Sequence, residues 1–345
     1  MSKRRLKFLI TGGSGFIGSA VIRFLIKETN HEICNIDKLT YAANRHSLQA
    51  VENSDRYTFS KLDICDRDQV SSILRGYQPD VVMHLAAETH VDKSITGSSE
   101  FVKTNLLGTF ELLEACRSYW ESCTKKRSPN SFRFHHVSTD EVFGDLDGSD
   151  GLFTESSNYR PSSPYSATKA GADHLVHAWT RTYGLPAVIS NCSNNYGPFQ
   201  CQEKLIPRII LNALKGEPLP VFGDGQQIRD WLFVEDHARA LVKIATEAHN
   251  GDRFNVGGRS ERTNLQVVQA ICGILDEVAP RVVKGLNRYQ DLVSFVVDRP
   301  GHDRRYAIDT KKIEEKLLWK ASETFDSGLR KTVLWYVENA EFYEN

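Results

Sequence analysis

The 345 residues contain no Cys-x-x-Cys pair, no apolar run long enough to span a bilayer, and no excess of either charge. Each absence excludes something. The seven cysteines (Cys34, Cys65, Cys116, Cys123, Cys192, Cys201, Cys272) are odd in number, and most sit in apolar runs. That argues against a disulfide framework or a thiol-redox motif and predicts buried free thiols in a reducing, cytoplasmic setting. Lysine plus arginine total 43 against 44 aspartate plus glutamate, a formal net charge of -1. Neither a nucleic-acid footprint nor an acidic tail is written in that balance. The basic start Lys3-Arg4-Arg5 leads only into a short apolar run, too short for a signal peptide, and no membrane segment is expected. No metal-ligand cluster is visible: His135 and His136 are adjacent on a predicted strand and so point to opposite faces. Internal repeats and low-complexity segments are missing too. The length suits one large α/β domain with an appended lobe, or two domains.

What is present begins with a strand, a turn and a helix. Residues 6–11 read as a buried strand that runs into Gly12-Gly13-Ser14-Gly15-Phe16-Ile17-Gly18, followed by a helical pattern to residue 28. Glycines let the backbone turn tightly and approach a pyrophosphate, whose charge the helix N-terminus attracts. The spacing is Gly-x-x-Gly-x-x-Gly, and a bare glycine turn is the alternative. The next strand, 32–36, ends in Asp37, nineteen residues after Gly18. A carboxylate there accepts from ribose hydroxyls and repels a 2′-phosphate, so NAD is expected rather than NADP. Lys38 and Arg45 weigh slightly the other way. A third strand ends at Leu62-Asp63-Ile64, where Asp63 is either an adenine contact or a strand-end turn. Residues 67–77 read as a helix and 79–87 as a fourth strand, whose small Ala86 and Ala87 leave room for a cofactor. The stretch 88–95 reads as a polar loop. Residues 101–120 form a helix whose apolar residues (Leu106, Leu107, Phe110, Leu113, Tyr119) exceed one core-facing stripe, through oligomer contact or double packing. A polar, basic loop follows at 121–131.

Two further segments carry chemistry. A strand at 132–137 ends in Ser138-Thr139-Asp140-Glu141, a hydroxyl followed by two carboxylates. A helix then starts at Ser163-Pro164, with serine suited to cap it and proline to its first position, and runs to Tyr183 before Gly184. Tyr165 and Lys169 share one face of that helix. A second Tyr-x-x-x-Lys, Tyr57 to Lys61, lies on a predicted strand. There four residues span about 13 Å, too far for the lysine to tune the phenol. Taken alone, Tyr165 with Lys169 could be an ordinary helix face, and Asp140 with Glu141 a solvated turn. After a strand at 187–192 the βα alternation gives way to a mixed pattern. It has helices near 205–214, from 236 and from 264, and strands at 219–222, 229–234, 254–256 and 293–297. Arg229, Arg299, Arg304 and Arg305 are candidates to clamp a diphosphate, each with a surface ion pair as its alternative.

The glycine turn, Asp37, Ser138 and Tyr165 with Lys169 together resemble the extended short-chain dehydrogenase/reductase superfamily. Within it, nucleotide-sugar 4-epimerases resemble the chain in Ser/Tyr/Lys but do not carry the Thr139-Asp140-Glu141 acid pair. That triplet is similar to the dTDP-glucose 4,6-dehydratase branch. So are His90-Val-Asp-Lys-Ser-Ile95, Asn191-Cys-Ser-Asn-Asn-Tyr-Gly-Pro198, Glu203-Lys-Leu-Ile-Pro207, Gln227-Ile-Arg-Asp-Trp231 and Asp298-Arg-Pro-Gly-His-Asp-Arg-Arg-Tyr306. The likeness covers essentially the whole chain. Phe143 and Phe199 stand where many members have tyrosine, and Lys93 where arginine is usual.

The resemblance implies a Rossmann-type doubly wound parallel sheet with a smaller mixed α/β lobe. Residues 1–195 would bind NAD and 196–345 mainly the nucleotide sugar, some segments returning to the first domain. It implies NAD held by Gly12, Gly15, Phe16, Ile17, Gly18, Asp37, Lys38, Asp63, Ile64, Ala86, Ala87, Thr104, Ser138, Tyr165 and Lys169. A nucleoside-diphosphate hexose would meet His90, Asn194, Glu203, Lys204, Leu205, Arg229, Asn264 and His302, while His84 and Asn105 would be structural. Tyr165 would act as the base on the sugar 4-hydroxyl, its anion favoured by the Lys169 charge and the nicotinamide, with Thr139 bonded to the same oxygen. Glu141 would take the C5 proton and Asp140 would protonate the departing 6-hydroxyl. A homodimer would form across the helices 101–120 and 164–183. The competing activities are a UDP- or CDP-linked 4,6-dehydratase, a 4-epimerase or decarboxylase, and a cofactor-sensing regulator without catalysis.

Overall fold

The computed structural model describes residues 4–124, 132–146, 148, 150–279 and 285–343. A seven-stranded sheet forms its centre, built from β1 (Lys7–Thr11), β2 (Glu32–Asp37), β3 (Tyr57–Lys61), β4 (Val81–His84), β5 (Arg133–Thr139), β6 (Ala187–Cys192) and, further along the chain, β10 (Arg253–Val256). The order is β10-β6-β5-β4-β1-β2-β3, and every neighbouring pair is parallel. Parallel strands need covering on both faces, and β1 shows how its side chains divide. Phe8 and Ile10 pack with the helix Phe16–Glu28 and with Leu241 and Val242 of the helix Val234–Glu247. Leu9 packs on the opposite side with Val70, Leu74, Leu112 and Val176. The chain reverses its winding between β1 and β4, so their C-terminal ends open a crevice, the usual ligand position in such sheets.

The short strands β7 (Asn194–Tyr196), β8 (Leu219–Phe222), β9 (Ile228–Phe233), β11 (Glu261–Thr263) and β12 (Val293–Val296) build the rest. They pair as β11-β9-β7 and β12-β8. A second core, with Tyr196, Ile209, Ile210, Trp231, Ile271, Leu275, Leu329 and Tyr336, packs the helices Leu205–Lys215, Asn264–Val278 and Phe325–Glu338 around them. Beyond residue 196 the chain adds β10 and the helix Val234–Glu247 to the seven-stranded sheet.

Four expectations need correction. The fourth strand stops at His84, because Thr11 takes the Leu85 N–H on its carbonyl and the Ala86 N–H on its hydroxyl, turning the chain across the glycine turn. The polar stretch 88–95 is partly helical, Val91–Thr96, capped by the His90 ring. The helix predicted at 101–120 starts earlier, at Ser98, and passes through a widened π turn at Val102–Gly108 before running as Thr109–Thr124. Gly108 permits that turn to press on Ile64, whose Cδ1 would lie 2.8 Å from an added Cβ. The start of the expected loop at 121–131 is therefore helical, and residues 125–131 lie outside the described residues. Double packing accounts for most of that helix's apolar excess: Leu113 and Tyr119 are buried, and Phe110 meets Trp179 edge-on. Val102 and Leu107 stay exposed. No helix among the described residues is long and apolar enough to cross a membrane. All seven cysteines are free, four of them buried.

Candidate active site

The crevice holds two adjoining cavities. All fifteen residues expected to hold a dinucleotide line the first, and all eight expected to meet a nucleotide sugar line the second. Glu141, Asn194, Asn195, Gln200, Glu203 and Lys204 border both. The fit of the first cavity to a dinucleotide is visible in its backbone. Gly12 has φ +70°, and a Cβ there would lie 2.6 Å from the Ala86 Cα; one at Gly18 would lie 2.3 Å from the Gly12 carbonyl oxygen. The turn is thus closed to side chains, and the helix it opens, with Gly15 at its cap, presents free N–H groups to the cavity. Asp37 accepts from the Ser14 N–H at 3.0 Å and the Leu39 N–H at 2.8 Å, which fixes its carboxylate at the end of β2. Asp63 makes its strand-end turn, accepting from Cys65 N–H at 3.0 Å, and lines the cavity as well. Lys38 lies between Asp63 (3.6 Å) and the Thr104 hydroxyl (3.4 Å).

β5 delivers the acid pair. Thr139 ends the strand and caps a short 3-10 turn, Asp140–Phe143, by accepting from the Glu141 N–H at 3.3 Å. The same hydroxyl donates to Asp140 Oδ1 at 3.4 Å. Asp140 is buried, and its Oδ2, like the Ser138 Oγ, has no hydrogen-bond partner among the described residues. Burial, reinforced by the Glu141 and Asp230 charges, pushes the Asp140 carboxyl well above the usual range, against the pull of Arg229 and the Thr139 hydroxyl. Burial raises Glu141 too, but Arg299, Arg229 and Lys204 oppose the rise. Two adjacent carboxyls in unlike surroundings are thereby biased toward acid and base roles.

The helix Pro164–Tyr183 brings the phenol. A reciprocal cap between Ser163 and Ser166 starts it, with Pro164 at its first position. Tyr165 and Lys169 are both buried and both line the first cavity. The Lys169 ammonium donates to the Val137 carbonyl at 2.9 Å, tying the helix to β5. Here the electrostatics differ from expectation. Burial and the Glu141 charge dominate and hold the Tyr165 phenol well above its ordinary value, while the Thr139 hydroxyl works the other way. Lys169 is not among the main influences on it, and its own pKa is lowered by burial, against the Asp173 charge.

The second cavity is lined by charge. Glu203 meets Lys93 at 3.1 Å and the His90 ring at 3.4 Å, and Lys204 donates to the Thr89 carbonyl at 2.8 Å. Arg229 is buried over the Tyr306 ring, 4.2 Å from its centroid, and donates to the Asp303 carbonyl. His302 is paired with Asp298 at 2.6 Å. Of the four arginines considered for a diphosphate, Arg229 and Arg299 line this cavity. Arg304 is paired with Asp224 and Arg305 with Glu261, and neither lines either cavity.

Supporting residues hold these groups in place, Asn105 in the structural role expected of it and Asn191 and Asp173 with no role assigned from the sequence. Asn105 accepts from the Glu88 N–H and donates to the Glu88 carbonyl and the Thr168 hydroxyl, tying the Glu88 backbone to the helix Pro164–Tyr183. Asn191 donates to the Thr139 carbonyl (3.0 Å) and to Asp173 (3.2 Å). Asp173 also accepts from Tyr159 and lies 3.1 Å from the His136 ring. Its place one turn after Lys169, continuing the Tyr165 stripe, was a signal available in the sequence.

Comparison with known proteins agrees with this geometry. The family model described as GDP-mannose 4,6 dehydratase matches residues 9–332. The chain belongs to this family. Among curated members, the dTDP-glucose 4,6-dehydratase of Neisseria meningitidis serogroup B is 58% identical over 339 residues, covering 98% of this chain and 95% of the relative. The dTDP-glucose 4,6-dehydratase 1 of Escherichia coli K12 is 55% identical, covering 99% and 95%. The crystal structure of a dTDP-glucose 4,6-dehydratase from Streptomyces venezuelae, with NAD and TYD bound, superimposes with a TM-score of 0.87 at 40% identity, covering 98% of this chain and 99% of that one. A UDP-glucose 4-epimerase from Thermotoga maritima shares the fold at a TM-score of 0.83 but only 26% identity, covering 97% and 100%. The family thus fixes the sheet and the crevice, and identity separates its dehydratase members from the epimerases.

Proposed function

We propose that this chain is a dTDP-glucose 4,6-dehydratase, converting dTDP-glucose to dTDP-4-keto-6-deoxyglucose and water with NAD as its resident cofactor. The observation that carries the reading is Asp140 and Glu141 at the wall beside Tyr165, with Glu141 facing both cavities. An epimerase returns its hydride to C4 and has no use for an acid pair aimed at C5 and C6. When bound, NAD would accept a hydride from C4 and give it back to C6. The Gly12–Gly18 turn would hold the pyrophosphate, Asp37 the ribose, and Ser138, Tyr165 and Lys169 the end nearest the chemistry.

The protein's own groups move the protons. With NAD bound, its positive nicotinamide would draw the Tyr165 phenol toward ionisation, and the phenolate takes the proton of the 4-hydroxyl while the Thr139 hydroxyl steadies the same oxygen. The ketone that forms acidifies C5–H, and that proton passes to Glu141. Asp140, kept protonated by its burial, gives its proton to the 6-hydroxyl, which leaves as water. Glu141 exchanges its proton with solvent and then protonates C5, and the proton held by Tyr165 restores Asp140, so atoms and charges balance. Glu203, Lys204, Arg229, Asn264 and His302 bind the nucleotide diphosphate and hexose. Cofactor binding falls to residues 1–195 and substrate binding mainly to 196–345. The protein works in the cytoplasm as a homodimer, with Val102, Leu107 and Tyr183, exposed along the paired helices, as its contact face. Purified protein incubated without added NAD, separately with dTDP-glucose and UDP-glucose, should dehydrate the first faster. Equal or reversed rates would move the assignment to another nucleotide.

A further inference from the structure

One phenol near the end of the described chain joins two walls of the cofactor cavity. The Tyr343 hydroxyl accepts from Asn44 Nδ2 at 3.2 Å and donates to the Gln200 carbonyl at 3.4 Å. Asn44 closes the loop after β2, in which Thr40, Ala42 and Ala43 line the cavity, and its N–H donates to the carbonyl of Ser14 in the glycine turn. Gln200 lines both cavities and donates through its side chain to the Asn195 carbonyl at 2.9 Å. The Gln200 carbonyl also accepts from Tyr336 at 2.8 Å. Next to Tyr343, Phe342 stacks on His46, with centroids 4.3 Å apart and planes 3° from parallel. Opposite, Phe199 has φ +68°, left-handed for a side-chain-bearing residue, and lies between Trp335 (4.5 Å) and the Arg23 guanidinium (4.6 Å). A strained turn of this kind persists only where its surroundings hold it.

We infer that the short turn Ala340–Tyr343 is a latch that retains the cofactor, with Tyr343 as its positioning residue. Tyr343 itself lines neither cavity. It holds the loop 38–44 and the 199–201 turn against each other on either side of the cavity, so the adenosine end of a dinucleotide leaves only when that link opens. The inference rests on NAD occupying the first cavity.

The test measures NAD content and release rate on purified full-length protein, by native mass spectrometry and by dilution into a trapping dehydrogenase. Tyr343→Phe removes both hydrogen bonds and keeps the ring, and should speed NAD release roughly fivefold or more, the equivalent of two lost hydrogen bonds. His46→Ala, on the far side of the latch, should speed it too. Truncation after Asn339 should exceed both, and added NAD should restore occupancy. The NAD-free Tyr343→Phe and His46→Ala proteins should keep a cooperative melt only slightly below wild type, which a general loss of fold would not give. Release rates unchanged in both point variants would overturn the latch. A wild-type protein that neither carries nor binds NAD would overturn the cofactor reading, and the latch with it.

Discussion

Tyr57-Thr-Phe-Ser-Lys61 and Tyr165-Ser-Ala-Thr-Lys169 share a spacing and little else. The first lies on β3, the edge strand of the sheet, with Lys61 exposed and the Tyr57 hydroxyl taken up by Asn35 Nδ2 at 3.0 Å. The second lies in the first turns of a helix, both residues buried in the crevice, its lysine tied to Val137. On a strand the two side chains are about 13 Å apart, and on a helix roughly 5–6 Å. The difference teaches that a motif acquires chemistry from the element carrying it and from what that element faces.

The comparison breaks if the two tyrosines matter equally. Tyr165→Phe should lower kcat on the order of 10³-fold, since the base of the first step is gone, while NAD content stays unchanged. Asp140→Asn should lower kcat by about 10²-fold with little change in KM, because the amide cannot protonate the leaving hydroxyl. The pH–rate profile should then lose its alkaline limb. In the wild type, activity needs Asp140 protonated and Glu141 ionised, so it should rise as pH climbs through the Glu141 pKa and fall as pH climbs through that of Asp140.

Acid sharpens the contrast through four buried histidines of the central sheet and its covering helix. Burial lowers His136 to about 4 and His237 to about 3, and His84 and His135 well below the ordinary value. Their folded pKa values lie below the unfolded value of roughly 6.5, so below that pH the unfolded chain binds more protons and stability falls. Thermal melts should show Tm dropping steadily from pH 7 toward pH 4, with exposed positions around β3 contributing little. The smallest effect belongs to Tyr57→Phe. It loses one hydrogen bond, from an Asn35 amide that also donates to Ser14 Oγ, and should cost about 1 kcal/mol in denaturant titration with kcat within twofold.

Much of the sheet and cofactor cavity was legible because the signals are local. The glycine turn, Asp37 and Ala86 with Ala87 each end or follow a strand within a few residues, and strand pairing gathers them. The second cavity draws on segments near residues 90, 141, 194–215, 229, 264 and 302, so local pattern could not join them; resemblance across the chain did. Where tertiary contacts override local pattern, the reading failed. The π turn at 102–108 depends on Gly108 meeting Ile64, and β4 ends early because Thr11 captures the next two N–H groups. The pairings of Arg304 with Asp224 and Arg305 with Glu261 likewise needed the folded chain.

The most direct test of the acid pair is the reaction run in deuterated water. Wild-type protein with dTDP-glucose and no added NAD should yield a product that has lost one water and gained one deuterium, located at C5 by mass spectrometry and NMR. An unchanged mass with the galactose isomer appearing, or dehydration without deuterium at C5, would contradict the roles given to Asp140 and Glu141.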